Sequence, residues 1–293
     1  VRRQNAAEPS YEAIYLRSTN GGADFEAPRA LATANWESGL ALVLAANGND
    51  VCLAYSLDHW TGGGGGVSYY RGSTTYAVTS SDGGATFAAA SKVESIPDYE
   101  GFPIDAVCEG GRYYVLSQWS GGSPELQPYP MFCASGNIGS GFDSVVTVAD
   151  DMEINAHDQH FEHKLAVAGN RVHVIWTGTP AGGSRTTLVR SSGDGGATFG
   201  APVALDLPDG HGPRNGLQTV AAMGEHAHVF VLDQTDNAID AFSSANGGAS
   251  FGSAMRVSAP QEGGWCMQAM ADPLDASGQT VHVLWNSSGY AKT

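Results

Sequence analysis

Five segments of the chain repeat one eight-residue pattern, Ser-x-Asp/Asn-x-Gly-x-x-Phe, and this repeat constrains the fold more than any other feature. They run Ser18–Phe25, Ser80–Phe87, Ser135–Phe142, Ser192–Phe199 and Ser244–Phe251, with starts 62, 55, 57 and 52 residues apart. Asp or Asn beside Gly tolerates the positive φ of a tight turn, and its side chain can bond nearby backbone amides. The serine hydroxyl can cap the same loop, and the phenylalanine anchors the outgoing strand. Short β-forming runs precede the turns: Tyr11–Arg17, Thr74–Thr79, Thr186–Arg190, Ala238–Phe242 and, more weakly, Pro130–Ala134.

Between these turns lies a second repeated element, a hairpin whose second strand is strongly β-forming: Val51–Tyr55, Tyr113–Leu116, Val172–Trp176, His228–Leu232 and Val281–Trp285. One repeat therefore reads strand A, turn, strand B, loop, strand C, repeat turn, strand D. That is a four-stranded antiparallel blade, and five of them predict an all-β, five-bladed β-propeller in one domain, residues 1–293. The chain opens with a C–D pair and ends with an A–B pair. Pairing the two completes the fifth blade and removes exposed sheet edges.

Composition agrees. The 39 glycines, with only 15% charged residues, suit short strands and tight turns. The net charge of −16 argues against nucleic acid and anionic membrane as partners, which need clustered Lys or Arg. No apolar run reaches the roughly 18 residues of a membrane span. Val1-Arg2-Arg3-Gln4 is not the start of a leader, since no apolar stretch follows it, and the expectation of a secreted protein rests on architecture. Cys52, Cys108, Cys133 and Cys266 lack the C-x-x-C spacing of a zinc site, and their three possible pairings stay open.

The five turns resemble the Asp-box (BNR) repeat of sialidases and related propellers, over nearly the whole chain. The resemblance implies a structural turn on the face away from the site, and a family that includes enzymes, binding modules and assembly factors. A sialidase would further carry an arginine triad for a carboxylate, an early Arg-Ile-Pro element, a tyrosine nucleophile with its glutamate, and an aspartate acid. Arg-Ile-Pro is missing, and only Arg214 is well placed near an A-strand start, with Arg29 and Arg71 less so. Sialidases also resemble six-bladed rings, against five repeats here.

In a propeller the D-to-A and B-to-C loops share the funnel face, where ligands sit. The D-to-A stretches are 35–37, 98–100, 150–163, 206–215 and 262–266. Within them Glu37, Glu100 and Asp158 (or Glu162) fall at comparable blade positions, which suits the paired carboxylates of a glycosidase. Trp36, Trp60, Tyr99 and Trp265 offer rings for sugar faces, with Tyr69, Tyr70 and Trp119 beside them, and Arg214 is a further ligand contact. The run Gly62–Gly66 beside His59-Trp60 reads as a flexible loop. His157, His160 and His163, at steps of three, could hold a divalent transition metal if a helical turn gathers them. Three readings follow: a binding module for a neutral or glycan ligand in the funnel, with or without a metal; a glycoside hydrolase; or a metal-dependent protein centred on the histidines.

Overall fold

The computed structural model describes all residues except 1, 5–9, 36–40, 64–66, 94–100, 120–129, 150–162, 180–182, 209, 265–266, 273, 276, 278 and 287–293. Within its strands, the side chains of 2–4, 10–11, 34–35, 59–63, 67–72, 119 and 215–216 also lie outside the description. The described residues form antiparallel strands and no helix. Two compact units emerge, residues 1–129 with 133–145, and residues 130–132 with 146–293.

The first unit begins with sheet I, ordered β1 (Arg2–Gln4), β2 (Ser10–Tyr15), β3 (Arg29–Asn35). Sheet II follows as β4 (Leu42–Asn47), β5 (Asp50–Gly63), β6 (Val67–Ser80) and β7 (Ser91–Lys92). Sheet III, mostly in the same unit, holds β8 (Gly101–Glu109), β9 (Arg112–Trp119), β10 (Met131–Asn137) and β11 (Phe142–Ala149). The second unit contains sheet IV, with β12 (Lys164–Ala168), β13 (Arg171–Gly178), β14 (Thr186–Ser192) and β15 (Val203–Leu205). Sheet V comprises β16 (Pro213–Met223), β17 (His226–Asp233), β18 (Ala238–Ser244) and β19 (Met255–Arg256). Sheet VI is the pair β20 (Met267–Ala271) and β21 (Val281–Trp285). Sheets II to V thus each have the four strands in the order A-B-C-D that the repeat predicts.

The repeat turn explains itself atom by atom. In the box from Ser192, Ser192 Oγ accepts from Gly196 N at 2.9 Å, and Asp194 Oδ1 accepts from Thr198 N at 2.9 Å. Those bonds hold the Asp194 carboxyl down at about 2, the Thr198 hydroxyl being the largest cause. The same serine bond recurs from Gly22, Gly84 and Gly248 to Ser18, Ser80 and Ser244. A second tie fastens four of the boxes to the A–B turn of their own sheet. Gly83 N, Ile138 N, Gly195 N and Gly247 N donate to the carbonyls of Asn49, Gly111, Asn170 and Glu225, at 2.8–2.9 Å.

In the second and fifth boxes the glycine at the fifth position meets the preceding sheet, whereas at Gly22 of the first box nothing lies within 4 Å among the described residues. At Gly248, with φ +81°, a Cβ would lie 2.8 Å from His173 Nδ1 and would run into the Ser191 hydroxyl. At Gly84 a Cβ would run into the Tyr15 hydroxyl. Gly139 N instead donates to Thr79 Oγ1 at 2.9 Å. Only glycine combines this φ with so close an approach.

The third box departs from the others. Ile138 replaces the first glycine, and Arg112 bonds Ser135 Oγ at 3.0 Å and Asn137 Oδ1 at 3.2 Å while pairing with Asp143. Phe25 of the first box is 63% exposed, whereas Phe87 packs edge-on against Tyr15.

Apolar side chains alternate inward along the strands and meet between successive sheets. Sheets IV and V share Ile175, Val189, Val220, Val229, Val231 and Phe242. Sheets II and III share Cys52, Ala54, Ala77, Cys108, Tyr113 and Val115. Cys52, Cys108 and Cys133 are free and buried, and burial pushes the Cys108 and Cys133 thiols up to about 12.

Two expectations change. The glycine run is not simply a loop: β5 and β6 continue as a paired ribbon to Gly62↔Ser68 and Gly63↔Val67, with Trp60 opposite Tyr70. Their 14 residues each exceed the 8 and 7 of β13 and β14, because pairing persists past the turn position used in sheets IV and V. The expected pairing of the final A–B hairpin with β2 is not found among the described residues. β1 takes that edge of β2, in the register Arg2↔Ala13, Arg3↔Glu12, Gln4↔Tyr11, and β21 pairs with β20 alone.

Candidate functional site

At the end of sheet V opposite its box, two loops and three strands deliver charged side chains to one point. β17 ends on Asp233, which is fully buried. The short connection to β18 contains Asp236, and positive φ at Asn237 (49°) turns the chain into β18. His211 comes from the loop before β16, closed by His211 N to Pro208 O at 2.9 Å. Gln234 N to Gly212 O, also 2.9 Å, ties that loop to the β17–β18 connection. Arg256 on β19 sits directly across from Asp240 on β18.

The side chains form one network. His211 Nδ1 lies 2.6 Å from Asp233 Oδ2 and 3.9 Å from Asp236 Oδ2. Arg256 donates from Nη2 to Asp233 Oδ2 at 3.0 Å, from Nη1 to Asp236 Oδ2 at 2.9 Å and from Nε to Asp240 Oδ1 at 2.9 Å. The other Asp233 oxygen accepts Thr235 N at 2.9 Å. Asp240 Oδ2 is buried and has no hydrogen-bond partner among the described residues.

Burial grades outward from this anchor: the side chains of Asp233 and Asp240 are enclosed, while those of His211, Arg256 and Asp236 are 21%, 30% and 37% exposed. The hydrogen bond to Asp233, reinforced by its charge, raises the His211 pKa above the ordinary imidazole value. Hydrogen bonding to Asp240 foremost raises that of Arg256. Chemically, the cluster offers an oriented imidazole, a partly exposed carboxylate and a guanidinium, all fixed to a buried carboxylate.

Sequence reasoning missed this cluster. Its only signals were the Asp233-Gln-Thr-Asp236 run at a B-to-C loop and His211 within the D-to-A stretch 206–215. Of the residues it did propose, Glu37, Glu100, Asp158, Trp36, Tyr99, Trp265, His157 and His160 lie outside the described residues, as does the Trp60 side chain. Arg214 is half-buried in β16, where pairing is irregular between Pro213 and Gln218. His163 precedes β12 at 3% exposure, and its Nε2 has no hydrogen bond among the described residues. Burial lowers its pKa to about 4.

Several arginines serve the opposite end. Arg17 pairs with Glu26 and reaches Gly83 O, Arg29 bonds Gly84 O and Ala85 O, Arg112 braces the third box, and Arg171 grips Glu225. A groove of about 400 Å³ between β7 and β11 also lies there, lined by Ser91, Lys92, Phe142 and Asp143, the last already held by Arg112.

No family model matches the chain, and neither does any curated protein. Solved structures do. A Hadza microbial sialidase superposes with TM-score 0.53 at 13% identity, covering 96% of this chain and 57% of its own. The NanB sialidase from Streptococcus pneumoniae gives TM-score 0.50 at 8% identity, covering 93% and 63%. The chain therefore has the β-propeller fold of the sialidase type, and spans about three-fifths of the length of these structures.

Proposed function

We propose that the chain is a carbohydrate-binding propeller that holds a neutral sugar at the D-to-A and B-to-C loop end of its sheets. The observation that carries this reading is the contrast between the two ends of sheet V. At the box end, Ser244 and Asn246 spend their polar atoms on the turn itself. At the loop end, His211, Asp236 and Arg256 keep part of their surface in solvent while anchored on Asp233. Such fixed, mixed donors and acceptors are what hydroxyl groups require, and we take the rings of Trp36, Trp60, Tyr99 and Trp265, which the repeat assigns to loops of the same kind, as the stacking surfaces.

A neutral ligand fits better than an anionic one. Arg17, Arg29, Arg112 and Arg171 are committed to the box end, and Arg256 already faces three aspartates. The net charge of −16 repels anions in general. In the same reading the five repeats stand for five blades of one Asp-box domain that works outside the cell.

The test is a glycan array of neutral and sialylated saccharides, probed with the whole chain and with Trp36→Ala and Trp60→Ala. Retention on neutral glycans, weakened about tenfold or more in the variants, supports the proposal. Binding restricted to sialylated glycans, or none at all, overturns it. The same glycans, incubated with wild type and with Glu100→Gln, separate binder from hydrolase. Cleavage that Glu100→Gln abolishes would make the chain a glycoside hydrolase instead.

A further inference from the structure

We infer that the His211–Asp233–Asp236 cluster is a divalent transition-metal site whose place is kept by Arg256. The inference rests on the loop-end reading for its choice of site, but not for its ligand.

The donor set comes first. One imidazole nitrogen and two carboxylate oxygens lie within 4.8 Å of one another. Shifts of roughly 0.5–1 Å bring such a triad around an ion at metal–ligand distances near 2.1 Å. One nitrogen with two carboxylates suits zinc, manganese or iron better than calcium, which prefers six to eight oxygens. The donors come from rigid places: the end of β17, the tight β17–β18 connection, and a loop tied at both His211 N and Gly212 O.

Charge comes second. With His211 neutral, Arg256 against Asp233, Asp236 and Asp240 gives 1 − 3 = −2, partly enclosed by protein. A divalent cation brings that sum to zero, whereas Arg256 alone leaves it in deficit. Enclosed charge without compensation is costly, so the site draws a second cation.

The third observation is independent of the donor triad. Asp240 is 98% enclosed, adjoins the cluster through Arg256, and leaves Oδ2 without a hydrogen-bond partner among the described residues. A buried carboxylate oxygen without a donor is rare, because its desolvation goes unrepaid. Its presence beside Arg256 has a use. When a metal takes Asp233 Oδ2 and Asp236 Oδ2, the guanidinium turns onto both oxygens of Asp240 and gains the bidentate pairing it now lacks. The ring proton of His211 passes from Nδ1 to Nε2 by exchange with solvent, so the imidazole stays neutral, and the metal takes the vacated Nδ1 lone pair. Arg256 is thus a resident cation that exchanges with the metal.

Equilibrium dialysis of the whole chain against Zn²⁺ and, separately, Mn²⁺ at neutral pH tests this, with bound metal counted by elemental analysis. One equivalent should bind wild type. Binding should weaken at least tenfold in Asp236→Asn and His211→Gln, and tighten at least tenfold in Arg256→Gln. Circular dichroism checks the fold, and Asp236→Asn, at a partly exposed position, serves if Arg256→Gln does not fold. No stoichiometric metal in wild type, or binding undiminished in folded Asp236→Asn, overturns the inference. A chain that binds metal but no glycan keeps this inference and loses the carbohydrate reading; one that binds glycan but no metal does the reverse.

Discussion

The two ends of sheet V are made from the same kinds of side chain put to opposite uses. At the box end, Ser244 and Asn246 bond atoms two to four residues away, so the motif builds itself wherever it occurs. At the loop end, Arg256 reaches Asp233, Asp236 and Asp240 across 23, 20 and 16 residues, and His211 reaches Asp233 across 22. One end is specified locally and the other only by the finished sheet. Local polar chemistry makes architecture here, and long-range polar chemistry makes a surface with spare capacity.

Substitutions at the two ends should therefore fail in different ways. Removing Asp233 takes from His211 its hydrogen-bond partner, from Arg256 one of three carboxylates and from Thr235 N its acceptor, so Asp233→Ala should cost roughly 3 kcal/mol, read by urea unfolding. A loss under about 1 kcal/mol would mean the network contributes little to the fold.

Next comes acid. Burial lowers the pKa of His163 and of His173 to about 4. The unfolded chain takes up these protons near 6.5 and the folded chain does not, so stability is intact above that pH and falls as pH drops from about 6.5 toward 4. The loss approaches about 3 kcal/mol per histidine at the low end. His211, with its raised value, has the opposite sign: its contribution is present below about 6.5 and fades as pH rises through its folded value. His163→Leu should flatten the acid limb of a melting-temperature profile by about half, and an unchanged slope would remove His163 as a cause.

Gly248→Ala tests the box end. Positive φ together with the collision at Ser191 should cost about 2–3 kcal/mol, while Gly210→Ala, at φ +82° but with open space around it, should cost only about 1. Equal losses would mean that backbone conformation alone demands glycine. The smallest effect is expected at Ser192→Ala, about 1 kcal/mol for the lost turn bond, with no change in any ligand assay.

This contrast also explains what the sequence made legible. The box turns, the A–B turns of sheets II to V and the strands around them appear where the pattern puts them, for example β13 over Val172–Trp176 and β18 over Ala238–Phe242. Each depends on neighbours within a few residues. The third box already showed Ile138 in place of glycine, but not that Arg112 would bridge its serine and asparagine, since that bond spans 23 residues or more. Arg214 stood out because it neighbours a predicted strand start. His211, three residues earlier, carries no pattern that announces Asp233, and Arg256 looks like an ordinary edge-strand cation. The long β5–β6 ribbon was hidden because glycines read as loop, although a glycine can pair as well as bend. Nor did anything in Arg2–Gln4 foretell its place beside β2.

The bond from each box amide to the A–B turn has a further consequence. Donor and acceptor belong to one sheet in all four cases, Gly83 with Asn49, Ile138 with Gly111, Gly195 with Asn170 and Gly247 with Glu225. A stretch of gene encoding one A-to-D unit therefore carries its own clasp, and a tandem copy inherits it without adjustment elsewhere. The contacts of Gly84 with Tyr15 and of Gly248 with Ser191 are shared between successive sheets and must be matched afresh at every junction. Tandem duplication would thus yield units whose turns are already built, with later change concentrated at their seams, where the apolar core forms.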